Sequence, residues 1–340
     1  MNKQQLIDTA KALVADEKGL LAMDESIPTC NKRFAQLGIP QTVEMRLAYR
    51  EMIVTTVGLG ESISGAILAD ETIRQQTRQG APMVKALTDA GIVPGIKVDE
   101  GAKAMALFPE EKVTDGLDGL RDRLAEYSGM GARFVKWRAV ITIGEGIPTW
   151  GCIHANAHAL ARYAALCQEA NLLPIVEPEV LMAGDHTLER CLEVTEKVQH
   201  EVFSELLVQK ILLEGMILKP NMVAPGKGSS KQATVDEVAD ATVTCLLRTT
   251  PAAVPAVAFL SGGQSGEQAA AHLNAMNVRY KSRLPWALTF SFARAIQQPA
   301  METWKGDDAN MPAAQRALYQ SASLARAARR GQFEPAMVTR

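Results

Sequence analysis

One count constrains this chain more than any other feature. Eight short apolar runs, each finishing in a charged or small polar residue, alternate with longer stretches of helical spacing. The runs GLLAMDES, ISGAILADE, VPGIKVDEG, FVKWRAVI, LLPIVEPEV, GMILKPNMV, AVAFLSGG and WALTFSFAR predict strands near 19–26, 63–71, 93–101, 134–141, 172–180, 215–223, 256–263 and 286–294. Between them lie segments such as Thr187 to Gln209, where Leu188, Cys191, Val194, Val198, Val202 and Leu206 recur at three- and four-residue steps. Eight parallel strands joined by right-handed helical crossovers close into a (β/α)8 (TIM) barrel, an α/β fold whose functional groups gather at the carboxyl ends of the strands. A doubly wound open sheet would also alternate strand and helix, but it has no need of polar groups at nearly every strand end.

The same reading predicts one barrel domain over residues 1–331 and a polar tail over 332–340. Gln4 to Val14 carries Leu6, Ala10, Leu13 and Val14 on one face, which predicts a helix packed outside the barrel. Pro312 to Gly331 is rich in Ala, Leu and Arg and predicts a final helix. Lys and Arg total 36 against 38 Asp and Glu, with no long run of one sign, so neither a nucleic-acid nor a membrane partner is expected. Five cysteines, Cys30, Cys152, Cys167, Cys191 and Cys245, form no CxxC pair and fit reduced thiols. With no leader-like start and no long uncharged apolar stretch, the expected location is cytoplasmic.

The strand ends suggest a carbonyl chemistry. Lys219 follows an apolar strand, where its stem would rise through the barrel and its amine would reach the mouth. At the ordinary lysine pKa of about 10.4, only about one amine in 2,500 is neutral at pH 7, so a nucleophilic lysine needs burial or a cationic neighbour. Lys136 is the candidate neighbour. A neutral lysine condenses with a ketone, and the iminium then accepts the electrons of a breaking carbon–carbon bond two atoms away. Proton transfer must accompany both steps, and Glu177 and Glu179, two apart in a strand, face the same side and can supply it. Ser261 to Ser265, SGGQS, reads as a phosphate cradle, and Arg294 ends the next strand. Lys32, Arg33, Lys97 or Arg138 could meet a second phosphate, so a bisphosphate substrate is expected. His154 and His158 have a spacing that suits a metal, but the sequence offers no evident carboxylate partner beside them or the later His186, so no metal is expected. GLGES at Gly58 and PGKGSSK at Pro225 match no nucleotide-binding pattern and read as loops.

MDES, GIKVDEG, FVKWR, PIVEPE, ILKPNM, FLSGGQS and SFARAIQ stand in an order and at spacings that resemble the class I fructose-bisphosphate aldolases over essentially the whole chain. The resemblance implies reversible cleavage of fructose 1,6-bisphosphate to dihydroxyacetone phosphate and glyceraldehyde 3-phosphate, without a cofactor or metal. It makes Lys219 the Schiff-base lysine, Glu177 the general acid and base, and Glu179 a partner holding the lysine. Asp24 would take the proton of the substrate C4 hydroxyl beside the charge of Lys136. Ser261, Gly262, Gly263 and Arg294, with Ser291 nearby, would bind the C1 phosphate, while Ser26, Arg33, Lys97 and Arg138 lie towards the C6 phosphate. Thr29 would supply the second hydroxyl of the SIPT loop, and Ala293 stands where many members have glycine. The sequence closes on Thr339 and Arg340 rather than the terminal tyrosine of animal members. Small sugar phosphates are the expected partners, and a homo-oligomer, a tetramer, is the implied assembly. Competing readings are another Schiff-base sugar-phosphate lyase, a metal-dependent aldolase and a non-catalytic scaffold that binds sugar phosphates.

Overall fold

The structure is a computed structural model that describes residues 1–338. Thr339 and Arg340, and with them the expectation about the terminal residue, lie outside the described residues. Eight parallel strands close on themselves: Gly19–Met23, Ile63–Leu68, Val93–Lys97, Phe134–Ile141, Leu173–Val180, Ile217–Leu218, Ala256–Phe259 and Ala287–Phe292. Each pairs with its neighbours in sequence, and the first also pairs with the eighth, Leu20 opposite Ser291. Most strands end before the polar residues expected to close them, because the chain leaves the ladder as it turns outward at the barrel mouth. A small antiparallel hairpin, Ala102–Ala104 with Lys112–Thr114, lies between the third and fourth strands.

The period of two in each strand divides its residues between two cores. Leu20, Ala22, Ile67, Phe134, Leu173, Ile175, Ile217, Ala256 and Ala258 form one buried cluster, the filling of the barrel. The larger cluster packs the outer strand faces against the helices. Phe134 supplies much of the inner volume, and Gly95 in the adjoining strand makes room for it: a Cβ there would lie 2.3 Å from the ring.

Leu6, Ala10 and Leu13 of helix Lys3–Leu13 belong to the inner cluster, not the outer one. The expectation of a helix packed outside the barrel is therefore corrected: this helix stops the amino-terminal end, where apolar filling would otherwise meet water. The final helix spans Met311–Arg330 and ends on Gly331, which has φ 72°. The supposed polar tail holds a buried residue just after its exposed first one, since Phe333 is tucked in and its N–H donates to Asn274 Oδ1 at 2.9 Å.

Candidate active site

Continuing each inward-facing row upward by twos replaces hydrocarbon with charge. Leu20 and Ala22 lead to Asp24, Phe134 to Lys136 and Arg138, Leu173 and Ile175 to Glu177 and Glu179, and Ile217 to Lys219. Asp24, Lys136, Glu177, Glu179 and Lys219 are all buried at the mouth of the barrel. The Lys219 backbone N–H is pinned to the Val176 carbonyl at 2.8 Å, which carries the row of the sixth strand one residue past its ladder.

Glu177 stands between two lysines. Its Oε1 is 3.4 Å from Lys219 Nζ and its Oε2 is 3.2 Å from Lys136 Nζ, while Lys136 also meets Asp24 Oδ2 at 2.7 Å. The two amines respond in opposite directions. Burial opposes the charge of Lys136, but Asp24, Glu177 and Asp99 outweigh it and raise its pKa. For Lys219 burial prevails over the attraction of Glu177, the positive charge of Lys136 adds to it, and the pKa falls. Asp24 is also driven down, since Lys136 and Lys219 overcome the penalty of its burial. One lysine thus keeps its proton while the other is pushed to release it.

Glu179 is bound to Arg138, with Arg138 Nε donating to Oε2. That differs from the implied role of holding the lysine, a contact that Glu177 makes instead. Beneath Asp24, Glu25 receives Arg50 at 2.8 Å and also pairs with Arg33, and these cations hold its carboxyl low against burial. Gln297 donates to Glu25 Oε1 at 3.0 Å and to the Ala22 carbonyl, tying the first strand end to the helix that begins at Arg294.

The SGGQS turn has Ser261 buried and Gly262 and Gly263 at φ 59° and 87°, the left-handed region that side chains resist. A Cβ on Gly263 would lie 3.1 Å from an Arg294 guanidinium nitrogen and 2.8 Å from Lys227 Nζ. Arg294 has a lowered pKa, first from burial and then from Arg33, with Arg138 adding. Ser291 Oγ is buried with no hydrogen-bond partner among the described residues. Ala293, at φ −105° and ψ −91°, lies outside the left-handed region that favours glycine.

Across the mouth, Ser26 Oγ and Thr29 Oγ1 lie 3.0 Å apart on the exposed start of helix Ile27–Gln36. Lys97 Nζ is 2.7 Å from Asp99 Oδ1. Lys32 is exposed on the same helix as Thr29.

Lys227 is the site residue that sequence reasoning passed over, as part of the PGKGSSK loop. Its Nζ donates to the Gly263 carbonyl at 2.8 Å. Gly226 and Gly228 donate N–H to the carbonyls of His186 and Gly184, each at 2.8 Å, and Gly226 is required by contact, since a Cβ there would come within 2.4 Å of the Gly184 oxygen. Glycines alternating around a lysine shortly after Lys219 are the signal that could have found it. A second correction concerns the histidines. His154 and His158 do have carboxylate partners, Glu201 and Glu205, contributed by the next long helix.

A family model for class I fructose-bisphosphate aldolase matches residues 5–340. This chain belongs to that family. A Xanthomonas campestris relative named "Probable fructose-bisphosphate aldolase class 1" is 56% identical over 323 residues, covering 95% of this chain and 96% of that one. Chloroplastic fructose-bisphosphate aldolase 3 of Arabidopsis thaliana is 47% identical, covering 97% and 83% respectively. The solved structure of fructose-bisphosphate aldolase from Plasmodium falciparum, in complex with TRAP and a small-molecule inhibitor, superposes with a TM-score of 0.95 at 46% identity, covering 97% of this chain and 95% of that one. The aldolase assignment makes this protein a lyase, reversibly splitting fructose 1,6-bisphosphate into two triose phosphates, and the barrel mouth is where an aldolase of this fold does its work.

Proposed function

We propose that Lys219 performs the aldolase reaction as a Schiff-base nucleophile, with Glu177, Asp24 and Lys136 as its acid–base and electrostatic partners. The observation carrying this reading is the opposite displacement of two buried lysines that share Glu177. Neutral Lys219 adds to the C2 carbonyl, and Glu177 donates the proton with which water leaves the carbinolamine. Asp24 then accepts the C4 hydroxyl proton as the C3–C4 bond breaks, and its electrons pass to the iminium as an enamine. The aldehyde departs, C3 is protonated, and hydrolysis returns free Lys219. The iminium and Lys136 provide the positive charge an electrophilic metal would otherwise provide, so no metal or cofactor takes part. Glu179 acts through Arg138, fixing that guanidinium.

Ser261, Gly262, Gly263 and Arg294 bind the C1 phosphate, with the unpartnered Ser291 hydroxyl and Lys227 completing the cradle. Ser26, Thr29, Lys97, Arg33 and Arg138 serve the C6 phosphate, Arg33 from its seat on Glu25. Residues 1–331 form the catalytic unit. The protein works in the cytoplasm on small sugar phosphates, with neither nucleic acid nor membrane as partner. Its five cysteines are free, and no helix among the described residues is long and apolar enough to cross a membrane. Exposed Trp150, Leu207 and Val208 are available to an assembly of four copies, which light scattering would test.

Dihydroxyacetone phosphate followed by borohydride should place one covalent label on Lys219, in equal yield with and without a chelator. A label on another lysine, or none, would overturn the assignment.

A further inference from the structure

We propose that the outer face of the barrel carries a divalent-cation site of zinc type, formed by His154 and His158 on helix Trp150–Glu169 and by Glu201 and Glu205 on helix Leu188–Val208. Both pairs are spaced i, i+4, which sets two side chains one above the other on one helix face. The helices pack side by side, so the histidine column faces the glutamate column. His154 Nδ1 lies 2.6 Å from Glu201 Oε1, and His158 Nδ1 lies 2.9 Å from Glu205 Oε2. Ligand atoms of His154, Glu201 and Glu205 all fall within 4.8 Å of one another. Tetrahedral zinc with bonds of about 2.0–2.2 Å needs its ligand atoms about 3.3–3.5 Å apart, between these separations. The imidazoles are about half exposed, at 52% and 47%, and so have room to turn, His158 further than His154 because its nitrogens lie outside that 4.8 Å group.

Charge argues the same way. Glu201 and Glu205 present two carboxylates on one face, largely shielded from solvent at 13% and 12%, and among the described residues neither has a Lys or Arg within ion-pair distance. With neutral imidazoles the four groups sum to two negative charges, which a divalent ion balances. Two nitrogens and two carboxylate oxygens suit zinc among the borderline cations, whereas calcium and magnesium prefer oxygen alone. Trp150 extends the column: its ring is stacked 6.1 Å from His154, and His154 is 6.4 Å from His158. The ion would clamp the helices that follow the fourth and fifth strands, the strands that carry Lys136, Arg138, Glu177 and Glu179. Its role is to join two helices, away from the reacting atoms.

The test titrates the chelator-stripped full chain with zinc chloride by calorimetry at neutral pH, beside His154→Ala/His158→Ala and Glu201→Gln/Glu205→Gln. These surface changes preserve helix-forming residues, and aldolase turnover reports that each variant is folded. One equivalent of zinc should bind the parent with a rise in melting temperature, both should be lost in the two variants, and turnover should stay the same in all three. Nickel should quench the emission of Trp150, 61% exposed, in the parent and not in the histidine variant. Absence of zinc uptake by the parent, or uptake undiminished in both variants, would overturn the site.

Discussion

Lys219 is the residue at which function and stability part company. Its folded pKa lies below the ordinary lysine value of ~10.4, so the folded state binds the proton less tightly than the unfolded chain. The cost of holding its charge is complete below the folded pKa and fades as pH rises towards ~10.4. Lys219→Met should therefore abolish turnover while unfolding at neutral pH no earlier than the parent in a thermal scan. Because Lys136 helps to lower that pKa, Lys136→Met should move the acid limb of borohydride trapping to higher pH, and an unmoved profile would refute the coupling. Lys97 is proposed for the distal anchor, and its charge is also one of the smaller influences that lower the Asp24 pKa. Losing a charge-assisted hydrogen bond of about 1.5–3 kcal/mol, Lys97→Ala should reduce kcat/KM roughly ten- to hundredfold for fructose 1,6-bisphosphate. Fructose 1-phosphate, which lacks the distal phosphate, should be almost unaffected. At this scale Lys219, Glu177 and Lys136 were legible as a group, since each is a charged residue set in or just after an apolar strand run. The division of work was not. That Glu177 rather than Glu179 meets Lys219, and that Arg138 takes Glu179, depends on side-chain reach across neighbouring strands, which spacing within one strand does not encode.

At the scale of elements, Gly95 and Phe134 form a matched pair across the third and fourth strands. Gly95→Ala places a methyl group against the ring and should destabilise by about 1–3 kcal/mol in denaturant unfolding, with Phe134→Leu in the same chain restoring part of the loss. A pair that behaved additively would show that the ring moves freely. The strands were legible because each is a short, nearly continuous apolar run buried on both faces, and the long helices because their apolar periods persist for several turns. Helix Lys3–Leu13 was legible as a helix and misplaced as a packing unit. An apolar face of three or four residues fits the side of a barrel as well as its floor, and only the open lower rim decides between them. Glu201 and Glu205 were invisible as partners of the histidines for a related reason, as 47 residues separate each pair.

The whole molecule is a stack with a floor of hydrocarbon and a charged rim. Leu13 belongs to that floor, so Leu13→Ala should lower stability by about 2–5 kcal/mol and show first in the melting temperature, with kcat at moderate temperature preserved. A selective loss of turnover would mean that the floor governs the rim directly. The inward rows that fill the barrel and then carry its chemistry have a further consequence for how such a chain can change over generations. Substitutions alter one rung, and insertions between strands lengthen a loop, but a single residue gained or lost within Leu173–Val180 would turn Glu177 and Glu179 outward and their neighbours inward. The strands thus behave like a text read two letters at a time, in which spelling can drift while the frame cannot.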